Sequence, residues 1–226
     1  MKVVISGYGR MGHMVEAALE AKGIERAGAS EDIAAFDKAL AAECVCIDFT
    51  TPDAFRANYK ALADNFKAVV IGTTGWNDIK DEVIGYFESK GTPMIYSSNY
   101  SVGVNVISAA VGLVAKYLGQ AGGYAPYIVE KHHIHKLDAP SGTAKSLAAV
   151  VKENMGVNPD TASVRVGELA GIHTVGFEGL NDRITLTHEA FSRKGFAEGA
   201  VLAAQMTEGL SGVHEFKELF FKESAK

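Results

Sequence analysis

The sequence predicts an α/β chain in two parts, a parallel-sheet domain followed by a smaller α+β domain with an open mixed sheet. Three observations predict it. Short apolar runs alternate with helical stretches through the first hundred residues, the pattern of a parallel sheet covered on both faces. The turn Gly7-Tyr8-Gly9-Arg10-Met11-Gly12 directly follows the first apolar run and opens a helix, which makes the first domain Rossmann-type. From Tyr124 onward, strand-like segments outnumber helical ones.

Lys2–Ser6 reads as the first strand, and the helix after the glycine turn places Met11, Val15, Ala18 and Leu19 on one face. A weaker strand covers Ile24–Ser30. Cys44–Phe49, Ala68–Gly72 and Pro93–Ser97 are three more, separated by helices beginning near Pro52 and Asn77. The helix expected over about Val104–Leu118 is apolar nearly all round, so burial is expected for it. Then come a strand over Tyr127–His133 and a helix over about Gly142–Asn154. Strands are expected near Ser163–Gly167, His173–Phe177 and Arg183–Glu189. A last helix, about Phe196–Leu210, is rich in alanine and suited to packing back on the first domain. The expected domains are therefore 1–101 with 194–226, and 102–193.

At 226 residues the chain has room for one large domain or two small ones. Its formal charge of −5 and lack of basic clusters argue against nucleic acid as a partner. No apolar run approaches membrane-spanning length, and Met1-Lys2-Val3-Val4-Ile5 lacks signal-peptide architecture. Cys44 and Cys46 share a strand face, too close for an ordinary disulfide, and read as buried reduced thiols. A cytoplasmic location without membrane partners is the expectation.

The glycine turn suits a dinucleotide: tight turning, close backbone approach to pyrophosphate, and close helix–strand packing. Gly7, Tyr8, Gly9, Arg10, Met11 and Gly12 are its candidate contacts. An acidic residue ending the second strand would hold the adenosine ribose, and Glu31 or Asp32 is placed for this. Phe49-Thr50, Gly72-Thr73-Thr74 and Ser97-Ser98-Asn99-Tyr100 follow later strands at carboxyl ends, where open α/β sheets bind ligands.

The richest stretch runs from Glu130 through Lys131, His132, His133, Ile134, His135 and Lys136 to Asp138-Ala139-Pro140-Ser141-Gly142-Thr143. Ser141 is a good helix cap, and a helix N-terminus attracts anions. With Lys136 and the Ser141 and Thr143 hydroxyls alongside, the turn reads as a carboxylate or phosphate cradle with proton donors. The histidines admit three readings. His133 and His135 share a strand face that suits a metal, but no cysteine or carboxylate at ligand spacing completes a site, so none is expected. One histidine, His135 by preference, takes a structural hydrogen bond. His132 is best used for proton transfer. Ser141 lacks a nucleophile-elbow pattern and serves as a cap. Arg183 and Arg193 are the remaining cations for a second carboxylate, with Arg193 preferred.

The segment Glu130-x-His132-His133-x-x-Lys136-x-Asp138-x-Pro140-Ser141-Gly142-Thr143 closely resembles the signature of the dihydrodipicolinate reductase (4-hydroxy-tetrahydrodipicolinate reductase) family. Gly7–Gly12, Asp48-Phe49-Thr50, Gly72–Gly75, Asn99–Asn105 and Ser192-Arg193 are similar to that family's motifs, in its order. The resemblance implies a Rossmann domain completed by the C-terminal segment, and a substrate domain whose sheets meet in a homotetramer. It implies reduction of a cyclic imine-type dicarboxylate by NADH or NADPH, giving tetrahydrodipicolinate for diaminopimelate and lysine biosynthesis. Carried over by position, His132 is the proton donor or acceptor and Lys136 a second donor and anchor. His133 and the Gly142-Thr143 amides hold the substrate. Glu31-Asp32 would repel a 2′-phosphate and no basic residue useful for one is evident after the second strand, which favours NADH, although Arg10 offers a charge for the phosphate. Two other readings start from the same glycine turn: a Rossmann oxidoreductase for another small acid or aldehyde, and a dinucleotide sensor without turnover. A thioester-type aldehyde dehydrogenase needs a cleft cysteine, and the intact His132, His133 and Lys136 set speaks against a sensor.

Overall fold

The computed structural model describes residues 1–223. In chain order the elements are β1 (Lys2–Ser6), α1 (Arg10–Ala21), β2 (Glu25–Ser30), α2 (Lys38–Ala41), β3 (Cys44–Asp48), α3 (Pro52–Asn65), β4 (Ala68–Ile71), α4 (Lys80–Lys90) and β5 (Met94–Tyr96). Then follow α5 (Val102–Ala121), β6 (Ala125–His132), α6 (Gly142–Met155), β7 (Asp160–Arg165), β8 (Gly171–Glu178), β9 (Arg183–Ala190), α7 (Lys194–Met206), β10 (Val213–Glu215) and α8 (Phe216–Glu223). Two compact units result, one from Met1–Ser101 and the chain from Phe196 onward, the other from Val102–Gly195.

The first unit holds a wholly parallel sheet in the order β10-β5-β4-β3-β1-β2. Its inner strands are continuous apolar runs because helices cover both faces: every residue of β3 and β4 is buried, Cys44 and Cys46 included. In α1 the spacing of Val15, Ala18 and Leu19 carries the buried face, with Gly12 rather than Met11 at its start. Thr51 caps α3 by accepting the Ala54 N–H at 3.2 Å, with Pro52 in the first turn. Phe55, Leu62, Trp76, Phe87 and Met94 fill the space beside β3 and β4. The edge strand β10 and the short helices α2 and α8 carry too few residues for a periodic signal, and the sequence reading lacks them.

The second unit is a mixed four-stranded sheet, β7-β6-β8-β9, in which only β6 and β7 run parallel. Helices α5 and α6 pack with Ile128, Val175 and Phe177 of the sheet through Ile107, Val111, Ala115, Leu147 and Val151. The two helices approach closely where α5 has glycine. A Cβ on Gly119 would stand 3.2 Å from the Met155 Cα, and one on Gly112 3.3 Å from Val150 Cγ1. Two expectations about α5 need correcting. Its apolar surface is not all buried, since Val106, Leu113 and Tyr117 are about half exposed or more. By length and composition alone it is also apolar enough to cross a membrane.

Helix α7 is built into the first unit by its small residues: Ala197, Gly199, Ala200, Ala203 and Ala204 are buried. A side chain on Gly199 would run into the Tyr100 carbonyl, while the Tyr100 hydroxyl donates to the Ile71 and Ile95 carbonyls at 2.8 and 3.1 Å. Gly199→Ala is therefore expected to lower stability by about 1–3 kcal/mol through overpacking. A urea midpoint equal to that of the parent would refute this account of the α7 contact.

Candidate active site

In the first unit the chain leaves β1 for β2 on one side and reaches β3 on the other. That reversal leaves a crevice at the carboxyl ends of β1 and β3. Gly7 lines it with φ +83°, and a Cβ there would lie 2.5 Å from the Phe49 carbonyl oxygen. Gly12 has the same role against the Gly7 carbonyl. Gly9 differs. Its missing side chain points into open space, and as N-cap of α1 it leaves the amides of Arg10, Met11 and Gly12 without a capping side chain. An open cradle at an uncapped helix N-terminus fits a pyrophosphate. The Tyr8 N–H donates to Glu31 Oε1 at 2.5 Å, which sets that carboxylate at the turn. Asp32 is used otherwise, capping the turn at Ile33–Ala35 through the Ala35 N–H.

Beneath the later loops lies Asp48, fully buried at the end of β3. It accepts hydrogen bonds from Ser6 Oγ (2.6 Å), Thr73 Oγ1 (2.5 Å) and Thr50 Oγ1 (3.1 Å), joining the ends of β1, β3 and β4. Burial pushes its carboxyl above the ordinary range, against the pull of those hydroxyls. Thr50 N–H donates to Thr73 Oγ1 at 2.7 Å, so the two threonine loops are fixed to each other. Gly72 is required because the Phe49 ring occupies the space of its side chain. Thr73, Thr74, Ser97 and Ser98 line a cavity of about 190 Å³ with Trp76 and Tyr96. Ser97 Oγ accepts the Asn99 N–H and donates to the Asn99 carbonyl, forming the turn after β5. The Tyr100 ring and hydroxyl are committed to the core, leaving its backbone alone for any ligand.

In the second unit the period-2 alternation of β6 turns Ile128, Glu130 and His132 inward. Glu130 has no exposed surface. Arg165, opposite His132 in the parallel β6–β7 register, donates from Nη2 to Glu130 Oε1 at 2.8 Å and from Nη1 to Oε2 at 3.0 Å. The same guanidinium donates to the Asp138 carbonyl at 2.6 Å and the Lys136 carbonyl at 3.3 Å. Burial pushes the Glu130 carboxyl up, but hydrogen bonds from Arg165, Ser163 and His132 outweigh it and hold it at about 2. An ionised carboxylate only accepts, so His132 Nδ1 donates to Glu130 Oε2 in a short contact and Nε2 is the outward nitrogen. Gly171 keeps that nitrogen clear, since a Cβ there would approach it to 2.9 Å. Burial pulls His132 below its ordinary value, Glu130 opposes this, and the charges of Lys136 and Arg165 add to the lowering.

Ser141 caps α6 as expected, accepting the Ala144 N–H at 3.2 Å. Its hydroxyl also meets His173 Nε2 at 2.9 Å. His173 is buried on β8 with its ring edge-on to His132 at 5.0 Å. Gly142 and Thr143 form the first turn of α6, and Gly142 is exposed with open space where a side chain would stand. Lys136 donates to Asp138 Oδ1 at 2.7 Å.

Several sequence expectations need revision. The strand ends at His132, so His133 and His135 sit in the following turn and share no strand face. His135 is exposed and pairs loosely with Glu168 at 3.4 Å, so the structural histidine is His173. His133 is half-buried, with a buried Nδ1 that has no hydrogen-bond partner. A carboxylate does stand near two histidines: ligand atoms of Glu130, His132 and His173 lie within 4.8 Å of one another. Arg165 holds both oxygens of that carboxylate, which suits a hydrogen-bond network better than a cation. Arg183 pairs with Glu178, and Arg193 is exposed in the loop before α7. Glu130, Arg165 and His173 escape sequence reading as functional groups. An acid on the inward alternation of β6 was the available signal for Glu130, whereas Arg165 has no local signal, its partner being 35 residues away.

Residues 1–100 match the family described as "Dihydrodipicolinate reductase, N-terminus" and residues 103–220 that described as "Dihydrodipicolinate reductase, C-terminus". A protein of Paraburkholderia phymatum named 4-hydroxy-tetrahydrodipicolinate reductase is 34% identical over 255 residues, covering 93% of this chain and 95% of the relative. One of the same name from Chromohalobacter salexigens is 40% identical over 209 residues, 82% of this chain and 76% of the relative. Among solved structures, a dipicolinate-bound dihydrodipicolinate reductase from Paenisporosarcina sp. TG-14 superposes with TM-score 0.79 at 20% identity, over 96% of this chain and 98% of that one.

The buried histidine makes stability depend on acid. Burial first, then the charge of His132, lowers His173 from the ordinary 6.5 to about 4. The unfolded chain then binds more protons between those values, so stability is full above pH 6.5 and falls as pH drops towards 4. The loss amounts to about 3 kcal/mol, with Glu130 adding a further loss between its ordinary 4.5 and about 2. In His173→Gln the urea midpoint is expected to change less between pH 7 and 4.5 than in the parent. Equal pH dependence in both would overturn the assignment.

Proposed function

The chain belongs to the dihydrodipicolinate reductase family, and we propose that His132 and Lys136 handle the protons in its NAD(P)H-dependent reduction, which gives tetrahydrodipicolinate for diaminopimelate and lysine biosynthesis. One observation carries the assignment. His132 is held by Nδ1 on a buried ionised carboxylate, with Nε2 kept clear by Gly171 near the α6 cap. The outer nitrogen is thus a proton-transfer atom close to an anion-binding helix end.

One carboxylate of a small dicarboxylate docks on the Gly142 and Thr143 amides. Lys136 turns from Asp138 to the substrate, and His133, half-buried in the same turn, is a further polar contact for it. Ser141 serves through its cap, which fixes the direction of those amides. Such positioning contributes several kcal/mol, about 7 or more in good cases. A nicotinamide nucleotide, when bound, would supply a hydride for a ring carbon. His132, or a water it orients, then protonates the electron-rich centre left in the ring, an effect worth roughly 10²–10⁴-fold. Arg193 is retained as a contact for the second carboxylate on the strength of its exposed guanidinium.

For the nucleotide, the turn Gly7–Gly12, Glu31, and the loops of Phe49-Thr50, Gly72–Thr74 and Ser97–Tyr100 are the proposed contacts. Glu31 supports NADH over NADPH: one oxygen takes the Tyr8 amide, and its charge opposes a 2′-phosphate. Arg26 on β2 is already paired with Glu16 at 2.8 Å. A homotetramer and a cytoplasmic location complete the proposal. The exposed Leu180, Ile184 and Phe191 of the second unit support assembly, being apolar surface that partners would cover. Sedimentation at micromolar concentration is expected to give four times the chain mass, and a monomer would refute the tetramer.

The decisive assay follows NADH and NADPH oxidation at 340 nm, with dihydrodipicolinate synthase, pyruvate and aspartate semialdehyde generating the substrate in place. His132→Ala and Lys136→Ala are each expected to lower kcat by roughly 10²-fold or more with unchanged nucleotide affinity. Near-normal kcat in either removes that residue's role. NADH is expected to give the higher kcat/KM, and Glu31→Gln to narrow the ratio. Equal or better use of NADPH at low salt would sink the preference.

A further inference from the structure

We propose that Arg165 is a positioning residue that couples the two proton-handling groups, fixing His132 through Glu130 and the Lys136 turn through its carbonyl oxygens. The inference rests on the roles proposed for His132 and Lys136, and goes beyond them by assigning how the pair is held in register.

The geometry is that of a single planar fork with two sets of acceptors. On one side both terminal nitrogens of Arg165 reach the two oxygens of Glu130, at 2.8 and 3.0 Å, and Glu130 in turn takes the His132 Nδ1–H. On the other side Nε and Nη2 reach the carbonyls of Lys136 and Asp138, and Nη1 reaches that of Val164 at 2.9 Å. Loop carbonyls carry no side-chain identity, so this is a device for fixing where the Lys136 backbone stands relative to the imidazole. A lysine at 165 would supply the charge without the fork, so charge and shape separate experimentally.

The groups facing His132 are Glu130 on its own strand, Lys136 in the turn, Arg165 on β7 and His173 on β8; His188 lies opposite His173 on β9. Of these, Glu130 favours the imidazolium, whereas Lys136 and Arg165 oppose it. Removing the carboxylate and removing the guanidinium must therefore move the titration of His132 in opposite directions. A residue that served only to keep the fold intact would not produce opposite signs.

The test is an NMR titration of the His132 Cε1–H in the whole protein without nucleotide or substrate, its signal identified by its loss in His132→Gln. Glu130→Gln is expected to shift the titration to lower pH and Arg165→Met to higher pH. Arg165→Lys, which keeps the charge, is expected to leave it near the parent value. In turnover, Glu130→Gln and Arg165→Lys are each expected to lower kcat by about 10- to 1,000-fold with unchanged nucleotide affinity. Should Arg165→Met not fold, Glu130→Gln and Arg165→Lys carry both readouts. An unmoved titration in Glu130→Gln, shifts of the same sign in Glu130→Gln and Arg165→Met, or near-parent kcat in Arg165→Lys would overturn the proposal, as would loss of nucleotide affinity in these variants. Normal turnover in His132→Ala strikes the acid role alone, because the titration is read without turnover.

Discussion

A carboxylate without exposed surface, Glu130, stands where the apolar side of β6 gives way to a polar site, and its charge dictates what surrounds it. An unpaired buried ion costs several kcal/mol, and stripping one partner from a buried pair costs about 3–5 kcal/mol. The fold answers with a guanidinium from β7 and an imidazole from its own strand. Both answers bring geometry with them. The guanidinium has N–H groups to spare, and these take the carbonyls of the turn after β6. The imidazole has one nitrogen left, directed away from the carboxylate and left clear by Gly171. The positions of His132 and Lys136 follow from satisfying one buried charge.

The first unit reaches its site by a different route. Parallel strands buried on both faces must be apolar along their length, so polar chemistry is confined to their ends. Ser6, Asp48, Thr50 and Thr73 occupy those ends and bind one another. The loop after β3 lies so closely against the glycine turn and the end of β4 that Gly7 and Gly72 admit no side chain. What the crevice presents is then mostly backbone, together with the uncapped start of α1. A surface of amides with little side-chain bulk suits the phosphates of a nucleotide, whereas the second unit gathers ionisable side chains, Glu130, His132, Lys136 and Arg165, around one turn.

Legibility in the sequence followed the range of the interactions. Period and turn chemistry are local, so β1, β3, β4, the α1 glycine turn and the Ser141 cap of α6 were readable from consecutive residues. The His132 and Lys136 candidates came from a compact motif. Strand β10 was not readable, because three residues carry no period and their pairing with β5 lies across about half of the chain. The exposure of α5 was misjudged for a related reason: apolar residues all round a helix do not say how many faces find partners. Arg165 and His173 were invisible as site residues, since each depends on a register partner in another strand. His135 was overvalued because a face shared with His133 needs the strand to run to residue 135, three residues past its end at His132.

The two buried carboxylates show why burial alone does not fix a residue's chemistry. Asp48 is satisfied by neutral hydroxyls, and burial leaves its carboxyl above the ordinary range. Glu130 is satisfied by a cation, and the same burial is overcome, leaving it near 2. The difference suits what each must do. Asp48 has only to fix loops, and hydroxyls that rotate can serve either protonation state without adding positive charge beneath a cleft. Glu130 has to remain an anion, because only an anion both orients the His132 ring and favours its protonated form against burial. A hydroxyl cluster at Glu130 would fix the ring without holding the charge. A lone guanidinium without the carboxylate would push the proton off His132. The arrangement of carboxylate between guanidinium and imidazole is thus the one that meets both requirements, and it sets the guanidinium's remaining N–H groups on the turn that carries Lys136.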